Sequence, residues 1–360
     1  MKFYRIYNKK KNAVKPVHLM MMEKFTEPYI RDINRLFAIK DNDFIIYGGP
    51  IHKGIELHCF KEKNVWTSMN GGVFQKEKYR NFLLSHKMII IHGLFEEGII
   101  SNWARDQELL SKTYVFLYGA YPSKERVENV NYHYILQNAA GIINIYRSEQ
   151  KIVEDLYHPK GKMFSAFYLA APYFELQNVK RVSQDGVIIQ IGNSASESME
   201  HMKLIKMLEK YKKEKIKVYA PLSYGNQEYA DQVEKYGRKI LGDKFIAIRG
   251  FMPKQKYIEF VLQINIAIFG TKIQQASDNM DMNLWAGNCL YLYSDSTMAK
   301  VYEKEIGCKI KYIENIERTE FEEFKSWKEK EGQLNSERIE KFYSDENFVD
   351  KWKQIFNSSI

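Results

Sequence analysis

Four short stretches in the second half of this 360-residue sequence carry residue types suited to holding an anionic ligand. Each follows an apolar run and precedes a helix-like pattern. The first is Gly192-Asn193-Ser194, after 187-VIIQI-191. A helix N-terminus offers free backbone N–H groups and a positive partial charge, which suits phosphate. Glycine lets a ligand approach the backbone, while Asn193, Ser194 and Ser196 add hydrogen-bonding groups. The same residues allow a plainer role, because Ser194 and Glu197 have the spacing of a capping box. The second stretch, 220-APLSYGNQEYADQV-233, turns through Tyr224-Gly225-Asn226 and reads locally as an ordinary turn. In the third, Arg249 and Gly250 end a short strand. Phe251 and Met252 then precede Pro253, which suits the first position of a helix. That apolar pair either faces an aromatic base or packs. The fourth, 269-FGTKIQQASDNMDMNLWAGNCLYLY-293, is the most informative. Gln274, Gln275, Ala276, Ser277, Asp278 and Asn279 lie between a strand and a helix, and Ala286-Gly287 leads into the next strand.

The order strand, polar loop, helix, Ala-Gly, strand is the layout with which two-domain nucleotide-sugar transferases face a diphosphate with a helix N-terminus and no metal. Simple capping by Ser277, Asp278 and Asn279 is the competing role. In the first half, 90-IIHGLFEEGIISNWA-104 puts His92 and Gly93 at a strand end, with Glu96 and Glu97 at the next helix. A transferase that displaces its leaving group directly needs a base for the acceptor hydroxyl proton. His92, Glu96 and Glu97 are the candidates, although a histidine at a strand end also serves structurally. There is no P-loop, HExxH, GxSxG or zinc-type cysteine spacing. Asp278-Asn279-Met280-Asp281 is the nearest approach to a metal-binding acidic pair and does not suit that role. Neither metal nor cofactor is expected.

The elements that must position these residues are short, nearly continuous apolar runs. They lie at 17–22, 43–48, 88–93, 114–119, 142–146 and 163–168, then at 187–192, 216–220, 245–248, 264–269, 289–293 and 309–313. Such runs read as parallel strands covered on both faces. Helix-length patterns such as 201-HMKLIKMLEKYKKE-214 separate them, with Met202, Ile205 and Leu208 on one stripe. Alternation of the two predicts an α/β fold. The length predicts more than one core. We therefore expect two Rossmann-like, doubly wound domains, 1–178 and 179–337, facing each other across a cleft and joined near 175–186. The stretch 338–360 is expected as a helix that closes back on the N-terminal domain, with Trp352 and Phe356 on its apolar side.

With 25 Tyr and 21 Phe the chain is not of the disordered type. A net charge of +9 suits nucleic acid, anionic lipid or phosphorylated substrates, or it merely solubilises the surface. Lys9-Lys10-Lys11 and Lys212-Lys213 are too short to mark a nucleic-acid site, so no nucleic-acid partner is expected. Cys59, Cys289 and Cys308 are too widely spaced for a disulfide framework or zinc site, as in a reducing compartment. The N-terminus lacks an apolar signal core, and no run approaches the length of a membrane span.

Taken in order, IQIGNSASESMEH, KVYAPLSYGNQEY, FIAIRGFMPKQKYIEFVLQINIAIFG and QQASDNMDMNLWAG resemble glycosyltransferase family 56. This is the family of the 4-acetamido-4,6-dideoxy-D-galactose (N-acetylfucosamine) transferase of enterobacterial common antigen synthesis. The likeness is best over 186–293; IIIHGLFEEG and VFLYGA fit it in the first half. It departs where Ala276-Ser277-Asp278-Asn279 replaces a glycine-rich continuation, and where Leu117-Tyr118-Gly119-Ala120-Tyr121 replaces a Trp-Gly-Ala-Asp-like stretch. The resemblance implies a GT-B architecture, a dTDP- or UDP-linked sugar donor and a lipid-linked saccharide acceptor. It also implies a peripheral place on the cytoplasmic face of the bacterial cell membrane. By this likeness Gly192, Asn193, Ser194 and His201 line the donor side, Pro221, Tyr224 and Asn226 assist, and Gln274 and Gln275 lie near the diphosphate. The residues alone leave two other classes open. One is another α/β enzyme, such as a pyruvyl transferase or a sugar-nucleotide epimerase; the other is a noncatalytic binding protein.

Overall fold

The computed structural model describes residues 15–23, 25–50, 62–68, 74, 76–119, 121–169 and 185–358. Lys9-Lys10-Lys11, Cys59, Ala120 and nearly all of the expected linker 175–186 lie outside these residues. The chain divides into two compact units, one of residues 1–170 with 343–360 and the other of residues 171–342.

The first unit contains a seven-stranded sheet in the order β3-β2-β1-β4-β5-β6-β7. Its strands are β1 (Pro16–Met22), β2 (Asp43–Pro50), β3 (Val65–Ser68), β4 (Met88–His92), β5 (Thr113–Phe116), β6 (Gly141–Asn144) and β7 (Lys162–Ser165). Every pairing is parallel. The apolar runs become strands because both faces are covered; all five residues of β4 are buried. Only β3 was not foreseen. The last helix, Asp345–Phe356, completes this unit: Trp352 is buried, and its indole N–H donates to the Phe167 carbonyl at 3.1 Å. The helix expected over 338–356 is in fact two, Glu329–Phe342 and Asp345–Phe356. Ser344 separates them and caps the second by accepting from the Asn347 N–H.

The second unit contains six parallel strands in the order β10-β9-β8-β11-β12-β13. These are β8 (Val187–Ile191), β9 (Ile216–Pro221), β10 (Phe245–Ile248), β11 (Ile266–Phe269), β12 (Cys289–Leu292) and β13 (Lys311–Tyr312). In both sheets the order reverses beside the first strand, between β1 and β4 and between β8 and β11. Ligands of open α/β sheets bind beyond the carboxyl ends of the strands at that point. Cys289 and Cys308 are buried free thiols.

Candidate functional site

In the second unit, the first and fourth stretches singled out in the sequence end the two strands that flank the reversal. Gly192 follows β8 with φ +61°, and a Cβ there would stand 2.5 Å from His201 Nε2. Only glycine passes over the imidazole in this conformation. His201 opens helix His201–Leu208 and is buried. Burial lowers its pKa to about 4, so the ring is neutral near pH 7. His201 Nδ1 lies 3.4 Å from the Tyr229 hydroxyl, while Nε2 has no protein partner. Asn193 Nδ2 donates to the Tyr224 hydroxyl at 2.8 Å, and its buried Oδ1 has no protein partner. Ser194 is buried beside it. The capping box of Ser194 and Glu197 does not form: Glu197 begins a short 3-10 turn, and the α-helix starts only at His201.

Across the reversal, Gln274 Oε1 is a third buried polar atom without a protein partner. Gln275 Oε1 accepts from Ser198 at 2.6 Å and from Thr271 at 3.4 Å, tying this loop to the one after β8. Helix Ser277–Trp285 starts after Ala276, whose φ is +61°, and no side chain caps it. Ser277, Asp278 and Asn279 therefore sit on its first turn without capping it, and the Asn279 side-chain oxygen instead accepts from the Tyr257 hydroxyl. Buried polar atoms normally find partners. Three orphans around an uncapped helix N-terminus leave hydrogen-bonding capacity that the protein itself does not use, of the kind that suits an anionic ligand.

The remaining residues of this group are placed differently. Pro221 ends β9 and is buried. Tyr224 holds Asn193, and the two loops are stitched by Ala195 N–H to the Tyr224 carbonyl (2.8 Å) and Asn226 N–H to the Ala195 carbonyl (2.9 Å). Asn226 caps helix Gln227–Leu241, accepting from the N–H groups of Glu228 and Tyr229. Arg249 pairs with Asp231 of that helix at 2.7 Å. Phe251 is 85% exposed and Met252 is half-buried. Both follow β10, two strands from β8 at the sheet edge. Sequence reading missed Gln190, whose Nε2 donates to the Gly192 carbonyl at 2.9 Å and whose Oε1 accepts from Asn283. The available signal was a lone amide inside the apolar run 187-VIIQI-191.

In the first unit, His92 ends β4 and is only 1% exposed, stacked on Phe116 and Trp352. Its Nδ1 meets the Tyr168 hydroxyl at 2.5 Å and its Nε2 meets His18 Nδ1 at 2.9 Å. Burial holds its pKa well below the usual histidine value, and that of His18 at about 3. Both ring nitrogens are thus engaged inside the protein, and His92 reaches outward only through its neighbours. His18 Nε2 donates to Asn42 Oδ1 at 3.1 Å. At the other end, the Tyr168 and Tyr118 hydroxyls lie 2.6 Å apart, and Tyr118 lies 3.0 Å from Glu23 Oε1. Glu96 is half-buried just before helix Glu97–Trp103, and Glu97 is exposed at its start. Glu23, Tyr168 and His18 were not anticipated, and Tyr118 was marked only as a departure from the family pattern. His18 lies within β1 and Glu23 just after it, Tyr118 follows β5 and Tyr168 follows β7, and no local motif links them.

Two parallel Rossmann-like sheets, each reversing beside its first strand, define a GT-B glycosyltransferase fold. Solved structures similar to the chain agree. A glycosyltransferase from Rickettsia africae ESF-5 has a TM-score of 0.68 at 11% identity, over 96% of this chain and 100% of that one. The N-terminal domain of Candida albicans trehalose-6-phosphate phosphatase has 0.65 at 10%, over 98% of each chain. Sucrose-phosphate synthase from Thermosynechococcus elongatus has 0.63 at 12%, over 95% and 98%. The chain belongs to glycosyltransferase group 56, described as 4-alpha-L-fucosyltransferase, whose family model matches residues 137–359. Membership decides for glycosyl transfer among the classes the residues left open. No curated protein matches the chain. Among the described residues, no helix is long and apolar enough to cross a membrane, and no group of three His, Cys, Asp or Glu side chains is placed to hold a metal ion.

Proposed function

We propose that this glycosyltransferase moves a deoxy-amino sugar, of the N-acetylfucosamine or fucose type, from a dTDP- or UDP-linked donor to a lipid-linked saccharide. It would act at the cytoplasmic membrane surface in the assembly of bacterial surface polysaccharide. One observation carries the donor assignment: Asn193 Oδ1, His201 Nε2 and Gln274 Oε1 are buried without protein partners around the uncapped start of helix Ser277–Trp285. A nucleoside diphosphate places its charge at that helix end and its sugar hydroxyls against the orphaned atoms. Neutral His201 accepts or donates one hydrogen bond there without adding charge. The solved UDP-forming trehalose-phosphate synthase from Burkholderia xenovorans, similar in fold at a TM-score of 0.63, supports a nucleotide-linked donor. The net charge of +9 supports an anionic lipid surface.

Thermal unfolding with dTDP, UDP and their sugars, against NAD and ATP, tests the donor. A ligand of the native state at 100 times its Kd stabilises by about 2.7 kcal/mol. A shift with the nucleotide sugars alone is expected. A shift with none of them refutes the assignment. Co-sedimentation with anionic vesicles, lost at high salt, tests the surface.

A further inference from the structure

We propose that Glu23 is the catalytic base of the transfer reaction proposed above, on which this inference rests: its carboxylate takes the proton of the acceptor hydroxyl. Glu23 follows the last residue of β1, the strand at the reversal of the first sheet, and is half-buried. Aromatic rings surround it. Phe25 stacks on Tyr168 at 6.2 Å, and Phe95, 37% exposed, stacks on Tyr118 at 5.4 Å. A carboxylate among partly exposed aromatic faces suits a saccharide, which presents C–H faces to the rings and hydroxyls to the acid.

A second observation points to a ligand here. Tyr47, near the end of β2, is fully buried, yet its hydroxyl has no protein partner. Both Glu23 and Glu96 are near enough that their charges, after burial itself, raise its pKa. Tyr47 and Glu23 likewise raise that of Tyr168. Tyr47 pairs with Met21, two residues before Glu23, so this unmet hydrogen-bonding capacity stands on the strand beside the one that Glu23 follows.

The hydrogen count along the chain behind Glu23 closes with this carboxylate either protonated or ionised. Five contacts link Asn42, His18, His92, Tyr168, Tyr118 and Glu23. Two neutral imidazoles and two phenols supply four hydrogens for them. With Asn42 Oδ1 accepting, the fifth comes from a proton on Glu23, and every bond points inward. With the Asn42 amide turned over, its NH2 donates to His18, and every bond points outward to an ionised Glu23. A base must occupy both states in each turnover, and the five bonds can be made in either, although the Tyr29 hydroxyl, 3.4 Å from His18 Nδ1, can donate there only in the inward state.

In the step itself, the acceptor O–H bond breaks and its proton passes to the Glu23 carboxylate. The oxygen lone pair forms the bond to the sugar C1. The bond from C1 to the diphosphate oxygen breaks, its electron pair leaving with the nucleoside diphosphate. A single displacement inverts C1.

The test compares wild type, Glu23→Gln, Glu23→Asp and Glu96→Gln, using dTDP- and UDP-linked deoxy-amino sugars and a prenyl-diphosphate-linked saccharide. Glutamine keeps an oxygen to accept from Tyr118, so Glu23→Gln should fold. It should lower kcat about 10²- to 10⁴-fold, with the nucleotide-induced melting shift unchanged and acceptor KM altered less than threefold. Glu23→Asp should recover part of the rate, and the product should show the inverted anomeric configuration. Transfer by Glu23→Gln within threefold of wild type overturns the inference alone, as does a retained configuration or a rate loss confined to Glu96→Gln. A wild type that neither binds these donors nor transfers sugar overturns the transferase reading and the inference with it.

Discussion

The reversal points of the two sheets share a topology and differ in what fills them. Beyond β8 and β11 lie small and amide residues, an uncapped helix and three buried polar atoms without partners. At β1 and β4 lie aromatic rings and a hydrogen-bonded chain that runs from Asn42, just before β2, to Glu23, just after β1. The first arrangement stores unmet hydrogen-bonding capacity and positive helix polarity, as suits a diphosphate. The second positions acid–base groups and apolar faces, as suits an acceptor alcohol. One scaffold thus carries two opposite solutions: an end left open for a ligand to complete, and an end whose polar groups are mostly satisfied by one another.

Trp352→Ala should separate the two most strongly. Its ring is buried against His92 and Phe116, so removal should cost about 3–5 kcal/mol in urea unfolding. The melting shift caused by nucleotide should survive below the new midpoint. If Trp352→Ala abolishes nucleotide binding under folded conditions, the two ends are not chemically separate.

Acid should reveal what the ends share, namely neutral buried histidines. The folded values are about 3 for His18 and about 4 for His201, against 6.5 when exposed. Below pH 6.5 the unfolded chain binds protons that the folded chain refuses, so stability falls with pH down to the folded values. Each such histidine costs about 1.4 kcal/mol per pH unit in that window. Melting temperature should therefore drop between pH 7 and 5, and His201→Gln should reduce the slope. An unchanged slope would mean that His201 titrates normally.

Asn193→Ala is the smallest change and the sharpest. Its Oδ1 already lacks a partner, so the substitution forfeits only the bond to Tyr224, about 1 kcal/mol of stability. Nucleotide affinity should fall about tenfold, equal to about 1.4 kcal/mol. Calorimetric titration checks it; wild-type affinity would remove Asn193 from the donor contacts.

The elements were legible because parallel strands are continuous apolar runs, and every run marked in the sequence carries a strand. The edge strand β3 escaped because 65-VWTS-68 is short, half polar and paired on one side only. Gly192, Gln274 and Gln275 were readable as candidates, since glycine and amides in the loop after a strand have local meaning. The chain from Asn42 to Glu23 was not. Its members are up to 150 residues apart, and apart from His92 and Tyr118 each is unremarkable in its own segment. Pairing of β1 with β4 brings His18 near His92, and that register is a tertiary fact. Loops also misled: Ser194 with Glu197 has the spacing of a cap, yet positive φ at Glu200 delays the helix to His201.

The last helix has a consequence for how the molecule comes into being. The second unit is one unbroken stretch, whereas the first needs Trp352, which is synthesised after all of the second. Domains usually complete in the order of synthesis. Here the ribosome releases the seven strands of the first sheet long before the side chain that seals their paired histidines. The unit begun first is therefore finished last, and its paired histidines are sealed only after the whole of the second unit has been made.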